Sequence, residues 1–318
     1  MKVMLTLAPD NFEALARRVR ACDQFGFSAL GFGDSPGYHD PYVSIALAIQ
    51  HSRSLRLGPM VTNVVTRAPQ VTGRALRSLD ELSGGRVFAG IGAGDSALAG
   101  AKRTMETVAG MRAGIEAVRS GWRLAERPDE RWRFVIAANG PRTLEMAAEV
   151  ADVVVTGAGI DPLSLARARA IYERGAARNS RKVEMWAVVR MVVADDETAA
   201  VKELRPLLAS GANHVFHSQA EMDLLPEAVR NRVQRLRERY DYEFHGQRSG
   251  NPNAELVDEL DLRPYLGSRF AIAGSPARIV DGIRALAGQG VAGVVIPAVG
   301  VDTDLLIERL GREVLPAL

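Results

Sequence analysis

Short apolar segments alternate along this chain with longer segments whose apolar residues recur every three or four positions. The short segments are typical of buried strands and the longer ones of amphipathic helices, such as the helix that places Val71, Ala75, Leu79 and Leu82 on one face. The predicted strands cover residues 3–7, 29–33, 55–61, 87–91, 134–138, 152–156, 183–193 and 291–297. Strands that are each followed by a helix predict an α/β protein with a (β/α)8 TIM barrel, and an open doubly wound sheet is the alternative.

This alternation stops after the seventh predicted strand. Residues 198–268 are mostly helical in pattern, carry many charged side chains toward their end and include a loop-like segment at 246–253. Most of these charges are expected on a solvated helix face. We therefore predict a helical insertion at 198–268, between strand 7 and the last βα units, which covers one end of the barrel. Residues 1–318 are predicted to form a single barrel domain.

Composition narrows the class of protein. The chain has 318 residues, a formal net charge of only +2 and a single cysteine, Cys22, on the apolar face of a predicted helix. The small net charge argues against a nucleic-acid-binding or membrane-surface protein, and no apolar run approaches the ~18 residues that a bilayer span needs. One cysteine excludes an intrachain disulfide and fits a reducing compartment. With no targeting segment in evidence, we expect a cytoplasmic protein whose partner is a small molecule.

The loop after the fourth strand is rich in glycine. It reads Gly90-Ile91-Gly92-Ala93-Gly94-Asp95, which departs from the dinucleotide pattern G-x-G-x-x-G because Asp95 stands at the third glycine position. Gly92 and Gly94 would let a flat ring or a phosphate approach the backbone closely. A turn that only ends the strand explains the same residues.

Two further strand ends suggest an anion site. Asn139-Gly140-Pro141-Arg142 begins a helix, where free N–H groups and an arginine in the first turn suit a phosphate. An exposed arginine on an ordinary helix start fits that segment equally well. Gly157-Ala158-Gly159 follows the neighbouring strand, so that both strand ends could converge on one anion.

Candidate acids and bases follow the second and fourth strands. Asp34 and Asp95 end these strands, and His39 lies in the loop after the second strand. Capping of the following loop is the alternative role of the carboxylates. Asn63, which closes the third strand, could hydrogen-bond a heterocycle. The five histidines show no metal-binding spacing, and we predict no metal site.

Several motifs together resemble a known family. They are the segments at 57–63, 67–69, 79–86, 90–95, 138–141 and 274–276, the last followed by the strand at Gly290-Val291. In this order over nearly the whole chain, they resemble the luciferase-like superfamily of flavin and deazaflavin oxidoreductases. Within it, the chain is most similar to the methylenetetrahydromethanopterin reductase branch, which uses coenzyme F420.

The resemblance implies a (β/α)8 barrel that holds the cofactor ring at the carboxyl ends of its strands, a non-prolyl cis peptide between Met60 and Val61 behind the ring, and a homodimer in the cytoplasm. The residues that it places around the cofactor ring are Met60, Val61, Thr62, Asn63, Gly92 and Gly94. Those that it places around the cofactor phosphate are Asn139, Gly140, Pro141, Arg142, Thr156, Gly157, Ala158 and Gly159. One departure concerns the substrate, because Thr6 stands where the reductase branch has a glutamate.

The resemblance and the residues together predict an F420-dependent oxidoreductase that transfers a hydride between the deazaflavin and an unidentified organic substrate. Asp34, His39 or Asp95 would relay the proton. An FMN-dependent luciferase-like monooxygenase is the first alternative. The second is a non-catalytic barrel that acts as a binding or scaffold protein, which the threonine at position 6 would allow.

Overall fold

The short apolar segments of the sequence form the strands of the structure. The computed structural model describes residues 1–123 and 132–318, so most of the loop predicted at 122–133 lies outside the described residues. The described strands, in chain order, are β1 (Lys2–Leu7), β2 (Ala29–Phe32), β3 (Arg56–Pro59), β4 (Ala89–Ile91), β5 (Phe134–Ala137), β6 (Val153–Thr156), β7 (Glu184–Val188), β8 (Arg190–Val193), β9 (Ala271–Gly274) and β10 (Gly293–Pro297).

The main sheet is a closed parallel barrel. Its 8 strands run in the order β3-β2-β1-β10-β7-β6-β5-β4, and neighbouring strands pair in parallel. The two outer strands of this order, β3 and β4, are joined by bridges between Leu57 and Val87 and between Thr62 and Ile91. The predicted (β/α)8 barrel is therefore confirmed, and the open sheet is wrong.

The helices surround this barrel. In chain order they are α1 (Phe12–Phe25), α2 (Pro41–His51), α3 (Pro69–Ser83), α4 (Asp95–Ala101), α5 (Val108–Trp122), α6 (Pro141–Val150), α7 (Pro162–Ala176), α8 (Glu197–Glu203), α9 (Arg205–Val215), α10 (Gln219–Met222), α11 (Glu227–Arg239), α12 (Pro252–Glu259), α13 (Arg263–Phe270), α14 (Pro276–Gly288) and α15 (Thr303–Arg309). A π-helical turn, Leu310–Val314, continues α15. Among these helices, none combines the length and apolar character that a bilayer span requires.

The predicted seventh strand is divided in two. Val189 donates its N–H to the carbonyl of Val295 at 2.9 Å, and the chain then leaves β10. The second half, β8, pairs instead with β9, in a register that joins Arg190 to Ala271. β9 was not predicted, because its four residues follow α13 directly and are too few to show a period.

Helices α8 to α13 lie between β8 and β9, where the helical insertion was predicted. Residues of α9 reach the cavity at the carboxyl ends of the barrel strands, among them Ser210, Asn213 and His214. The insertion therefore supplies part of the cavity wall. That residues 198–268 and the barrel form a single domain stays a prediction.

Two apolar cores hold the barrel together. The larger lies between the strands and the helices and includes Cys22, which is buried as predicted. The smaller contains alternate residues of the strands, among them Met4, Val135 and Trp186, with Phe88 and Trp132 beside them. Strand side chains alternate between the two faces of a sheet, so this second core fills the inside of the barrel. This core fills the barrel up to the carboxyl ends of the strands, where the cavity opens.

Two glycines allow β3 and β4 to close the barrel. A Cβ at Gly90 would lie 1.9 Å from the carbonyl oxygen of Pro59, and one at Gly58 would lie 2.3 Å from that of Phe88. Both clashes are with backbone, which cannot rotate away. Closure at this point therefore requires glycine on each strand.

Gly90→Ala is expected to lower the free energy of unfolding by about 1–3 kcal/mol, the usual cost of overpacking. Gly288→Ala is the matched control, because a Cβ there meets no atom within 4 Å. Urea unfolding followed by circular dichroism measures both. Equal stability of the two variants would contradict the proposed closure.

Candidate active site

A cavity of about 450 Å³ opens at the carboxyl ends of the barrel strands. The loops after β2, β3, β4 and β5 line one side, and residues of β8 and α9 line another. In barrels of this kind the loops after the strands carry the chemistry. Cavities of this size suit cofactors and small organic substrates.

The wall after β3 and β4 is apolar and closely packed. The Met60–Val61 peptide is cis, as the resemblance implied, and both residues line the cavity. Gly92 lies against Val61, where a Cβ would be 2.7 Å from Val61 Cγ2. Gly94 has a left-handed φ of 85° and packs on Asn63. A Cβ added at Gly94 would lie 2.6 Å from the Cβ of Asn63. These contacts bring the two loops together into one wall.

Thr62 and Asn63 lie behind this wall, and neither is among the described residues that line the cavity. Thr62 Oγ1 donates a hydrogen bond to Asp34 Oδ2 at 2.7 Å. Asn63 Oδ1 accepts from the N–H groups of Val65 and Thr66, and its buried Nδ2 has no partner within the described chain. Thr62 therefore holds Asp34 in place, and Asn63 stabilises the loop that follows it.

Asp34 lines the cavity after β2. Burial raises the pKa of its carboxyl group, and the hydrogen bond from Thr62 opposes that rise in part. The negative charge of Asp40 adds to the rise and the positive charge of Arg67 reduces it. A carboxyl group with a raised pKa can hold a proton at a higher pH than an exposed one, which suits a proton donor.

Stability should depend on pH in opposite ways at Asp34 and Asp95. The raised pKa of Asp34 means that its protonated form stabilises the fold at low pH. That contribution is lost as pH rises from about 3.9, the usual value of an unfolded aspartate, through the native pKa. The stability of the wild type relative to Asp34→Asn should therefore fall as pH rises across this window. Urea unfolding between pH 3.5 and pH 7 (about the range in which carboxyl groups titrate) measures this trend.

Asp95→Asn is the matched control with the opposite sign. The pKa of Asp95 is lowered, so its contribution is present above the usual aspartate value and is lost as pH falls through the native pKa. The stability of the wild type relative to Asp95→Asn should rise with pH only below about 3.9, the usual aspartate value, so urea unfolding of this pair is extended to about pH 2. Parallel trends for the two variants would show that the carboxyl groups do not differ in this way.

Asp95 forms a pair with a histidine from the insertion. His214 Nδ1 lies 3.0 Å from Asp95 Oδ2, and both residues line the cavity. Burial alone would raise the pKa of Asp95, but the hydrogen bond and charge of His214, with the charges of His217 and His245, outweigh burial and lower it. Asp95 therefore stays a carboxylate that orients the imidazole ring. No local pattern in the sequence points to His214, since its partner lies 119 positions away and only the fold brings them together.

Further polar side chains lie on the same side of the cavity as His214. Tyr240 Oη lies 2.8 Å from His245 Nδ1, and Asn213 Nδ2 donates to Tyr242 Oη at 3.0 Å. Burial lowers the pKa of His245 and raises that of Tyr240. His245, Tyr242 and Asn213 line the cavity, which makes this side polar and hydrogen-bonding.

The loop predicted to bind phosphate after β6 is not at the cavity. Gly157 donates its N–H to Asn139 Oδ1 at 2.7 Å, and Ala158 donates its N–H to Thr156 Oγ1 at 3.3 Å. The carbonyl of Ala158 accepts from Arg269 Nε of α13 at 2.9 Å. Because α13 covers this loop, Thr156, Gly157, Ala158 and Gly159 are absent from the described cavity lining. The N–H groups of Gly157 and Ala158 therefore already have hydrogen-bond acceptors within the protein.

The start of α6 does reach the cavity. Asn139, Gly140 and Thr143 line it, and no described side chain caps the helix at Gly140. Pro141 is the first helical residue, as predicted, and has no N–H to offer. Arg142 is exposed and lies on a neighbouring cavity beside Thr107 and Arg112. An anion at this helix start would thus meet Thr143 instead of Arg142.

His39 lies away from these groups. Its ring stacks on Phe12 with centroids 4.3 Å apart. Its backbone N–H donates a hydrogen bond to the carbonyl of Pro9 at 2.7 Å. It is not among the described residues that line the cavity, so the structure does not bring it together with Asp34 and Asp95. Over residues 1–123 and 132–318, no group of three or more His, Cys, Asp or Glu side chains could hold a metal ion.

Known proteins share this architecture. The family described as luciferase-like monooxygenase matches residues 2–293. A 5,10-methylenetetrahydromethanopterin reductase of Archaeoglobus fulgidus is 26% identical over a 349-residue alignment that covers 100% of both chains. The structure of a coenzyme F420-dependent tetrahydromethanopterin reductase from Methanopyrus kandleri has a TM-score of 0.77 at 22% identity, covering 99% of this chain and 98% of the other. That of the monooxygenase RslO1 from Streptomyces bottropensis has a TM-score of 0.68 at 19% identity, covering 99% of each chain. Because the family match extends over most of its length, this chain belongs to the luciferase-like monooxygenase family.

Proposed function

We propose that this protein is an F420-dependent oxidoreductase that transfers a hydride between the deazaflavin and a small organic substrate. The observation that carries the proposal is the composition of the cavity, in which an apolar wall shares one space with Asp34 and the Asp95–His214 pair. The similarity to an F420-dependent reductase from Methanopyrus kandleri supports this cofactor. Similarity to a monooxygenase supports the luciferase-like monooxygenase as the alternative.

The residues present fit a flat ring with a phosphate-bearing chain. Met60, Val61 and Gly92 form a closely packed apolar wall against which a ring could lie. The start of α6, with Gly140 and Thr143, offers uncapped N–H groups and a hydroxyl for the phosphate. When bound, the deazaflavin supplies hydride chemistry that side chains lack.

The chain itself would position the reactants and move the proton. Asp34, whose pKa is raised by burial, is placed to give or take a proton at the cavity. Asp95 remains a carboxylate and orients His214 through the 3.0 Å contact. His214 is then placed to give or take the proton that accompanies hydride transfer. Environments that shift two carboxyl groups in opposite directions are typical of acid–base sites.

Titration of the purified protein with F420 and, separately, with FMN tests the cofactor. Ring fluorescence should change with F420 and stay unchanged with FMN. Binding of FMN alone would favour the monooxygenase. If neither binds, the protein is the non-catalytic binding or scaffold barrel.

Thr143→Val is expected to weaken F420 binding by about 10–100-fold, since a hydrogen bond to a charged group contributes about 1.5–3 kcal/mol. Arg142→Met should leave the affinity unchanged, because Arg142 is exposed and faces another cavity. Fluorescence titration of both variants measures the two affinities. A loss with Arg142→Met alone would place the phosphate elsewhere.

We also propose that the protein is a cytoplasmic homodimer. The family resemblance supports both statements. Light scattering on the purified protein would show the mass of two chains, and the mass of one chain would overturn the homodimer.

A further inference from the structure

Arg190 is a buried cation at the cavity, and no described residue provides it with a counter-ion. It is the first residue of β8, is 7% exposed and lines the cavity. Its Nε and Nη1 are buried and have no hydrogen-bond partner in the part of the chain that the structure describes. Burial lowers the pKa of its guanidinium to about 10, so it remains charged near neutral pH.

The guanidinium is held by packing and not by charge. Its Cζ lies 4.6 Å from the centroid of the Phe270 ring. Gly211 of α9 also packs against it, since a Cβ there would be 2.4 Å from Nη2. The absence of a side chain at Gly211 therefore leaves room for the arginine beside the cavity.

Two other buried arginines in the chain show what a structural role looks like. Arg269 pairs with the buried Glu221 at 2.6 Å, and Arg133 pairs with Asp80 at 2.5 Å. Arg190, by contrast, forms no ion pair with any described residue. A buried charge without a counter-ion is costly to the fold, so its presence here points to an anion supplied from outside.

The barrel order separates Arg190 from the proposed ring wall. In the sheet, β7 lies four strands from β3 in either direction around the closed barrel. Arg190 follows β7 directly, whereas Met60 and Val61 follow β3. A ring against the β3 wall would therefore have its open face toward Arg190. The start of α6, which we propose for the cofactor phosphate, follows β5 and is a separate place on the rim.

We propose that Arg190 binds an anionic group of the substrate, a carboxylate or a phosphate. This inference rests on the proposed function, because it names the substrate class of the same cavity. Ser210, Asn213 and His214 line the cavity from the neighbouring helix and provide further hydrogen bonds. An anion held at Arg190 would place the rest of the substrate between His214 and the apolar wall.

Acetate and inorganic phosphate are the probes that test the anion site, first without F420. At least one of them should raise the unfolding temperature of the wild type at millimolar concentration, because a ligand that binds only the folded state stabilises it. Isothermal titration should give an affinity that falls at least tenfold in Arg190→Met. Arg190→Lys, which keeps the charge but not the planar fork, should retain part of it. Arg53→Met, at an exposed arginine outside the cavity lining, is the control and should bind like the wild type.

The stability of the variant separates a binding role from a structural one. Arg190→Met removes an unpaired buried charge, so without anion its unfolding temperature should equal or exceed that of the wild type. A clear drop in unfolding temperature together with unchanged anion affinity would overturn the proposal. So would a wild type that binds neither probe.

F420 titration distinguishes the substrate from the cofactor. Arg190→Met should bind F420 as tightly as the wild type, and the probe anion should not compete with F420. Competition, with F420 affinity lost in Arg190→Met, would assign the anion to the cofactor and overturn the proposal. If F420 fails to bind the wild type while the anion still depends on Arg190, the anion site is supported and only the hydride-transfer function is overturned.

Discussion

His214→Asn is expected to slow substrate turnover by about 10²–10⁴-fold, the usual contribution of a positioned acid or base. Asparagine keeps a polar side chain of similar reach but cannot carry the proton. The Asp95 contact fixes the ring orientation at 3.0 Å, and both groups line the cavity. Single-turnover absorbance of F420, with a substrate found in a panel of small acids and phosphate esters, measures the rate.

Cofactor affinity should not change in this variant, since the proposed ring wall and the start of α6 are made by other residues. His51→Asn is the matched control, because His51 ends α2 and contacts Arg20 outside the described cavity lining. It should turn over like the wild type. A His214→Asn enzyme with an unchanged rate and an unchanged pH profile would remove the imidazole from the mechanism.

Trp186→Ala is expected to lower the free energy of unfolding by about 3–5 kcal/mol, as large-to-small changes of buried aromatic residues do. Trp186 is 0% exposed and lies inside the barrel, with its ring centroid 5.2 Å from that of Trp132. Gly293 of β10 leaves space for it, since a Cβ there would be 2.6 Å from Trp186 Cδ2. Removal of the indole would leave a hole in the layer beneath the cavity.

Urea unfolding at equilibrium gives the size of this effect, and the slope of the transition shows whether it remains two-state. Trp186→Phe is the control: it keeps most of the buried volume but loses the 2.9 Å hydrogen bond from Nε1 to Glu184. It should therefore lose less stability than the alanine variant. Equal losses would mean that the hydrogen bond, and not the filling of the barrel, carries the contribution of Trp186.

The barrel could be predicted from the sequence because its signals are local. Each apolar strand segment is buried on both faces, and each helix carries its own apolar stripe, so both patterns can be recognised without knowledge of the fold. The cis peptide at Met60–Val61 followed from the family motif around it. The helix start at Asn139-Gly140-Pro141-Arg142 followed from local backbone rules, and Pro141 is the first residue of α6.

The loop after β6 shows what local patterns leave open. Its glycines are typical of a phosphate-binding turn, but the N–H of Gly157 is bonded to Asn139, and Arg269 of α13, more than a hundred positions away, donates to the carbonyl of Ala158. The stacking of His39 on Phe12 is likewise a tertiary contact, and the roles proposed for this loop and for His39 stay predictions.

The sequence by itself determined the order of the eight barrel strands and the family, because these depend on periodicity and on short motifs. Only the tertiary structure decided which side chains meet: His214 with Asp95, Thr62 with Asp34, and Arg190 with no carboxylate in the described chain. The physical reason is that pKa shifts and unpaired charges arise from burial and from neighbours distant in sequence, and a closed barrel creates both at the ends of its strands.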